Sequence, residues 1–121
     1  MARILVVDDS STVRKLITYV LSKGNYDTLE AGDGIEALEK LALNQVELII
    51  ADLNMPRMDG LELIRTIRES PSYGKIPIVM LTTETDEAEK GEALKRGANI
   101  YLVKPMPPYM LLNKIKSLLE T

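Results

Sequence analysis

Apolar and polar positions alternate along this chain in two rhythms. Ile4-Leu5-Val6-Val7 is a continuous β-branched run, the pattern of a strand buried on both faces. Ser10 and Ser11 then offer N-cap oxygens, and Val13, Leu16, Ile17, Val20 and Leu21 follow at spacings of three and four. That spacing predicts a helix with this stripe buried and Gly24 as its stop. Residues 28–31 read as a weaker, partly polar strand suited to a sheet edge, and Gly32-Asp33-Gly34 turns into a helix expected to bury Ala37, Leu38, Leu41 and Ala42. Leu48-Ile49-Ile50-Ala51 is a second fully apolar strand, ending at Asp52. Pro56 and Asp59-Gly60 make 53–60 a loop, after which Leu61, Ile64 and Ile67 share one helical face. Gly74 and Pro77 bracket the turn into the strand 78–81, and 85–96 is expected to be helical with a thin stripe of Ala88, Gly91 and Leu94. Tyr101-Leu102-Val103 is the last strand; Leu111, Leu112, Ile115, Leu118 and Leu119 mark a final amphipathic helix.

Five strand–helix units in strict alternation predict an α/β fold with a parallel sheet, right-handed crossovers and helices on both faces. In such open sheets, sites form at the carboxyl ends of strands. The length of 121 residues fits one domain, 1–121, able to bury about two-thirds of its unfolded surface. Composition then narrows the chemistry. There is no cysteine and no histidine, which removes disulfides, thiol nucleophiles, the usual general base and the commonest transition-metal ligand. Carboxylates, hydroxyls, lysine and a hard cation remain. The net charge of −3, with both signs interspersed, gives no electrostatic footprint for nucleic acid. The apolar runs are too short for a signal peptide or a membrane span, so a cytoplasmic protein is expected.

The strand ends carry the informative residues. Asp8 and Asp9 follow the first strand, Asp52 the third, Thr82 and Thr83 the fourth, and Lys104-Pro105 the fifth. The second strand, ending in Ala31-Gly32, contributes nothing to this set. Each residue alone has a plainer explanation: a solvated turn for Asp8-Asp9, a loop acid for Asp52, a helix cap for Thr82, a surface cation for Lys104, and a half-buried strand aromatic for Tyr101. Their coincidence on one sheet edge is not what core packing produces. Three carboxylates brought together either share protons or hold a hard divalent cation, and an oxygen-only site suits Mg²⁺ or Mn²⁺. A cation, the Lys104 ammonium and a short hydroxyl around one carboxylate form a clamp for a transferring phosphoryl group, with Asp52 as nucleophile.

Val6-Val7-Asp8-Asp9, Asp52-Leu53-Asn54-Met55-Pro56, Met58-Asp59-Gly60, Leu81-Thr82 and Val103-Lys104-Pro105 resemble the receiver domain of two-component response regulators, over about residues 3–120. Within that family the chain is most similar to the stand-alone chemotaxis regulators. The resemblance implies a flavodoxin-like sheet in the order 2-1-3-4-5. It also implies that Asp52 accepts a phosphoryl group from the phosphohistidine of a sensor histidine kinase. Asp9, Asp52 and the backbone carbonyl of Asn54 would bind Mg²⁺ (or Mn²⁺) directly and Asp8 through water; Thr82, Lys104 and the Thr83 amide would hold the phosphoryl oxygens. Asn54 and Glu84 would tune the hydrolysis by which the domain resets itself, so it would catalyse its own phosphotransfer and dephosphorylation. Thr82 and Tyr101 would form the switch, which changes the surface of the fourth helix, fifth strand and fifth helix, where Lys114 lies. Implied partners are the kinase, a phosphatase, and an effector: a flagellar switch component or a histidine phosphotransfer protein, with the chain a monomer. Thr83 replaces the family's usual small residue, Glu84-Thr85-Asp86-Glu87-Ala88-Glu89 is unusually acidic, and Pro107-Pro108 is an unusual lead into the last helix. Two other classes fit these residues less well. A haloacid dehalogenase-type hydrolase needs an acid where Asn54 stands, and a non-phosphorylated scaffold would have no use for Asp8, Asp9, Asp52 and Lys104 together.

Overall fold

The computed structural model describes residues 1–120; Thr121, the last residue of the expected 1–121 domain, lies outside them. Strands β1 (Arg3–Val7), β2 (Asp27–Ala31), β3 (Leu48–Ala51), β4 (Ile78–Thr82) and β5 (Ile100–Val103) alternate with helices α1 (Ser11–Lys23), α2 (Gly34–Leu43), α3 (Gly60–Arg68), α4 (Glu87–Arg96) and α5 (Pro108–Leu119). All strand pairs are parallel and the order is β2-β1-β3-β4-β5, as expected. Side-chain alternation splits the apolar strands between two cores. Leu5, Val7, Ile49, Ala51, Ile78 and Met80 meet α2, α3 and α4; Ile4, Val6, Leu48, Ile50, Val79 and Leu81 meet α1 and α5. Ser10 caps α1 by accepting the Val13 amide, and Gly24 ends it.

Three expectations about burial are corrected. Leu16 was placed on the buried stripe of α1 but is 63 % exposed, because only Ile17 and Leu21 of that helix reach full burial. Ala42 is exposed on α2, where Ala37 and Leu41 face the sheet. Leu63, not singled out beforehand, is buried on α3 beside Ile64 and Ile67. On α4 the expected stripe is the exposed face: Ala88, Gly91 and Leu94 point outward, and Ala93 is the residue in the core. This helix is charged nearly all round, so periodicity could not set its phase. Ala93 lets it settle closely into the core, while Glu89, Glu92 and Arg96 are half-buried. β5 lies at the edge of the sheet, and Leu102 alone of that strand is buried.

One side chain ties together the loops at the amino end of β4 and β5. The Arg68 guanidinium donates to the carbonyls of Gly74 at 3.0 Å, Ile76 at 2.7 Å and Gly97 at 2.8 and 3.1 Å, and to Asn99 Oδ1 at 3.0 Å. Asn99 Oδ1 also accepts the Ile78 amide at 2.8 Å. Gly97 sits at φ +126°, and a Cβ there would stand 2.8 Å from the Arg68 side chain, so the residue's smallness is part of the joint. Burial pushes the Arg68 pKa down from its ordinary value, and no carboxylate among the described residues partners it. Replacing Arg68 by Met keeps the stem but leaves four acceptors without their donor. Arg68→Met should therefore lose about 2–3 kcal/mol in urea denaturation, the scale of charged hydrogen bonds removed from a partly buried site.

Candidate functional site

Asp8 and Asp52 meet because the strands before them pair. Val7 lies opposite Ala51, and the Asp52 amide donates to the Val7 carbonyl at 2.9 Å. Asp8 is almost fully buried, Asp52 is half-buried and Asp9 is exposed. Each of the three offers a carboxylate oxygen, and these oxygens lie within 4.8 Å of one another. At that separation a like-charged pair repels by about 3.5 kcal/mol at an effective dielectric of about 20. Lys104 Nζ answers part of this, lying 2.9 Å from Asp8 Oδ2 and 3.4 Å from Asp52 Oδ2. One ammonium among three carboxylates leaves a surplus of negative charge in an oxygen-only donor set. The cluster is able to hold a metal ion, of the hard divalent kind.

The members differ in how firmly they are held. Asp8 Oδ1 accepts the Ser10 amide at 2.9 Å, and Asp8's own amide donates to the Ala31 carbonyl at 3.1 Å. Asp52 Oδ1 accepts the amides of Leu53 at 2.7 Å and Asn54 at 3.4 Å. The Asp9 carboxylate has no hydrogen bond among the described residues. Burial works against the Lys104 charge, yet the hydrogen bond it donates to Asp8 and the fields of Asp52 and Asp8 outweigh it and raise its pKa above the ordinary lysine value.

Thr82 is fully buried at the end of β4, with Oγ1 accepting the Glu84 amide at 3.2 Å. The Tyr101 hydroxyl donates to the Glu84 carbonyl at 2.9 Å, so one peptide segment links the expected switch pair. Burial first, and then the charges of Glu84, Glu89, Asp52 and Asp86, push the Tyr101 phenol up from its ordinary value. Thr83 and Asn54 are exposed at the rim. The Glu84 carboxylate is turned toward the lead into α4, accepting the Asp86 amide at 3.0 Å, and makes no hydrogen bond to the acidic cluster.

The loop after Asp52 is pinned from beneath. The Gly60 amide donates to the Leu53 carbonyl at 2.8 Å, and a Cβ on Gly60 would lie 2.5 Å from the Asp52 carbonyl oxygen, so only glycine lets α3 start so close to β3. Arg57, at φ +64°, donates through Nε to Asp33 Oδ2 at 2.7 Å, while Asp33 Oδ1 caps α2 by accepting the Glu36 amide at 2.9 Å. Sequence reasoning passed over this pair, and also Arg14, which donates to the Asp8 carbonyl and pairs with Glu30 of β2. Neither pair lies close in sequence, so no spacing signalled them; the second strand does support the cluster, contrary to expectation.

The response regulator receiver domain family matches residues 4–116. The chain belongs to that family. Chemotaxis protein CheY1 of Helicobacter pylori is 47% identical over 121 residues, covering 98% of each chain. The CheY homolog of Campylobacter jejuni is 46% identical over 98% of this chain and 93% of its own. Among solved structures, Vibrio cholerae chemotaxis protein CheY4 superposes with a TM-score of 0.91 at 40% identity, covering 98% of both chains. The receiver fold and its two-component class are thus shown.

Asp33 supplies a pH-dependent tie for the receiver's loop. The Glu36 amide, and then Arg57, hold its carboxyl below the ordinary value of 3.8 against the opposing effect of burial. A carboxyl lowered on folding stabilises above its unfolded pKa, and that stability is lost as pH falls through the folded pKa. Asp33→Asn keeps a capping oxygen but removes the charge facing Arg57. Wild type should be more stable than Asp33→Asn at neutral pH, and the gap should close as thermal melts are taken below the unperturbed value of 3.8.

Proposed function

We propose that this chain is a CheY-like response regulator whose phosphoacceptor is Asp52. The observation that carries the reading is the meeting of Asp8, Asp9, Asp52 and Lys104 at one sheet edge. Two amides occupy Asp52 Oδ1, which leaves Oδ2, on the Lys104 side, as the nucleophilic oxygen. Oδ2 attacks the phosphorus of a phosphohistidine; the new O–P bond forms as the N–P bond breaks, and the histidine nitrogen keeps the electron pair. Lys104, the Thr82 hydroxyl and the Thr83 amide then receive the phosphoryl oxygens. Asp9, Asp52 and the Asn54 carbonyl would hold Mg²⁺, with Asp8 behind them through water. Bound there, the ion would supply positive charge to offset the negative charge of the reacting oxygens. Water later attacks the phosphorus, the Asp52 O–P bond breaks, and inorganic phosphate leaves; Asn54 and Glu84 border that approach and set its rate.

Taking Thr82 to the phosphoryl group breaks its bond from the Glu84 amide, which frees the segment that Tyr101 also holds. The α4–β5–α5 surface changes in consequence, a shift between two packings that phosphorylation biases. By likeness to the CheY relatives, the output is chemotactic and the effector a flagellar switch component, in the cytoplasm; a histidine phosphotransfer protein is the alternative effector. No helix among the described residues is long and apolar enough to cross a membrane. The kinase side has its own surface. An apolar groove of about 560 Å³ runs between α1 and the start of α5, lined by Leu16, Val20, Met106 and Pro108, and it ends at Thr83 and Lys104. A donor seated in that groove brings its phosphohistidine to the cluster.

Two outcomes check this. Incubation with acetyl phosphate and Mg²⁺ should add one phosphoryl mass to wild type, and none to Asp52→Asn or to wild type without the metal. No gain in wild type, together with no spectral response to beryllofluoride, would return the chain to the scaffold reading. Leu16→Glu should phosphorylate normally from acetyl phosphate but about 10–100-fold more slowly from the kinase at subsaturating concentration, the affinity equivalent of one lost leucine contact.

A further inference from the structure

Asp8 has a partner for every polar group it carries, and one of them, Arg14, is outside the expected site. Its Nη1 donates to the Asp8 backbone carbonyl, and its Nε donates to Glu30 Oε1 at 3.0 Å. Lys15 Nζ binds the other Glu30 oxygen at 2.8 Å. Arg14 and Glu30 are both mostly buried, with side-chain exposures of 18% and 27%. The carbonyl that Arg14 takes belongs to the peptide joining Asp8 to Asp9. On its amino side, Asp8 is fixed by the sheet through its amide; on its carboxyl side the ladder has ended, and Arg14 is the donor that holds the peptide plane.

Asp9 hangs from that plane with a carboxylate that has no other hydrogen bond among the described residues. Rotation of the peptide would swing the carboxylate out of the 4.8 Å cluster. We propose that Arg14 is a positioning residue: it locks the Asp8–Asp9 peptide and thereby aims Asp9 at the cation site, while Glu30 holds the guanidinium in place and cancels its charge beside that site. A planar guanidinium serves two acceptors at a fixed angle, which a single ammonium does not. The proposal rests on the phosphoacceptor reading for its purpose, but the locked peptide can be tested without metal.

The test uses Arg14→Ala, Arg14→Lys, Glu30→Gln and Arg14→Ala/Glu30→Gln, each checked for wild-type circular dichroism. In the metal-free protein, the Asp9 amide NMR resonance should shift in Arg14→Ala. By calorimetry, Mg²⁺ affinity should fall about tenfold in Arg14→Ala, the low end for removing a group that orients a metal ligand, with partial recovery in Arg14→Lys. Glu30→Gln should weaken binding less, and the double variant should be no worse than Arg14→Ala, since Glu30 acts through Arg14. An unmoved Asp9 resonance, or Mg²⁺ affinity within about twofold of a wild type that binds the ion, overturns the assignment. Wild type that binds no Mg²⁺ sinks the phosphoacceptor reading instead, and the Asp9 resonance then decides the locked peptide by itself.

Discussion

Like charges held together by strand pairing are the constraint around which the receiver is arranged. β1 and β3 are adjacent and in register, so residues that follow them emerge side by side, and here both are aspartates. Left alone, three carboxylates within 4.8 Å would repel one another and push the loops apart. Lys104 relieves this from a distance. It leaves the end of β5, while Asp52 leaves β3, so its side chain reaches past β4, a span of about two 4.8 Å strand spacings. A long ammonium stem does this, and β4 leaves it room by ending in the short Thr82 rather than a bulky residue.

The repulsion also explains the bracing outside the cluster. Gly60 lets the α3 start pass directly under the Asp52 carbonyl, and Arg57 adopts a left-handed backbone to reach Asp33. Such conformations are unfavourable for a long side chain and persist where the surroundings over-determine them. Arg14 does for the β1 side what Arg57 and Gly60 do for the β3 side. Each brace acts on main chain or on a helix cap, leaving the clustered carboxylate oxygens to face one another.

The sheet and the cluster were legible because both follow from position along strands. Continuous apolar runs marked β1, β3 and β4, and whatever follows such a run must appear at the sheet's carboxyl edge. Where the sequence misled, another signal was absent. α4 is charged around its circumference, so its three small apolar residues predicted a buried face that tertiary packing rejected in favour of Ala93. Leu16 has core spacing but lies beyond the reach of the sheet, and it borders a groove instead. Arg14–Glu30 and Arg57–Asp33 join residues 16 and 24 positions apart, and charged residues at such separations have no periodicity to reveal them.

Several departures from ordinary packing gather around one carboxylate. A nearly fully buried aspartate, a left-handed arginine, a glycine under a carbonyl and a buried threonine whose hydroxyl serves a loop amide all surround Asp52. The opposite edge of the sheet is braced differently, by Arg68 serving carbonyls with no carboxylate partner among the described residues, while Asn25 at φ +63° and Gly97 at φ +126° shape its turns. An edge built only for stability would be expected to look like the second. What sets the first edge apart is its concentration of like charge, which fits the proposed phosphoacceptor role, and Glu84 links the two expected switch residues because its amide binds Thr82 and its carbonyl binds Tyr101.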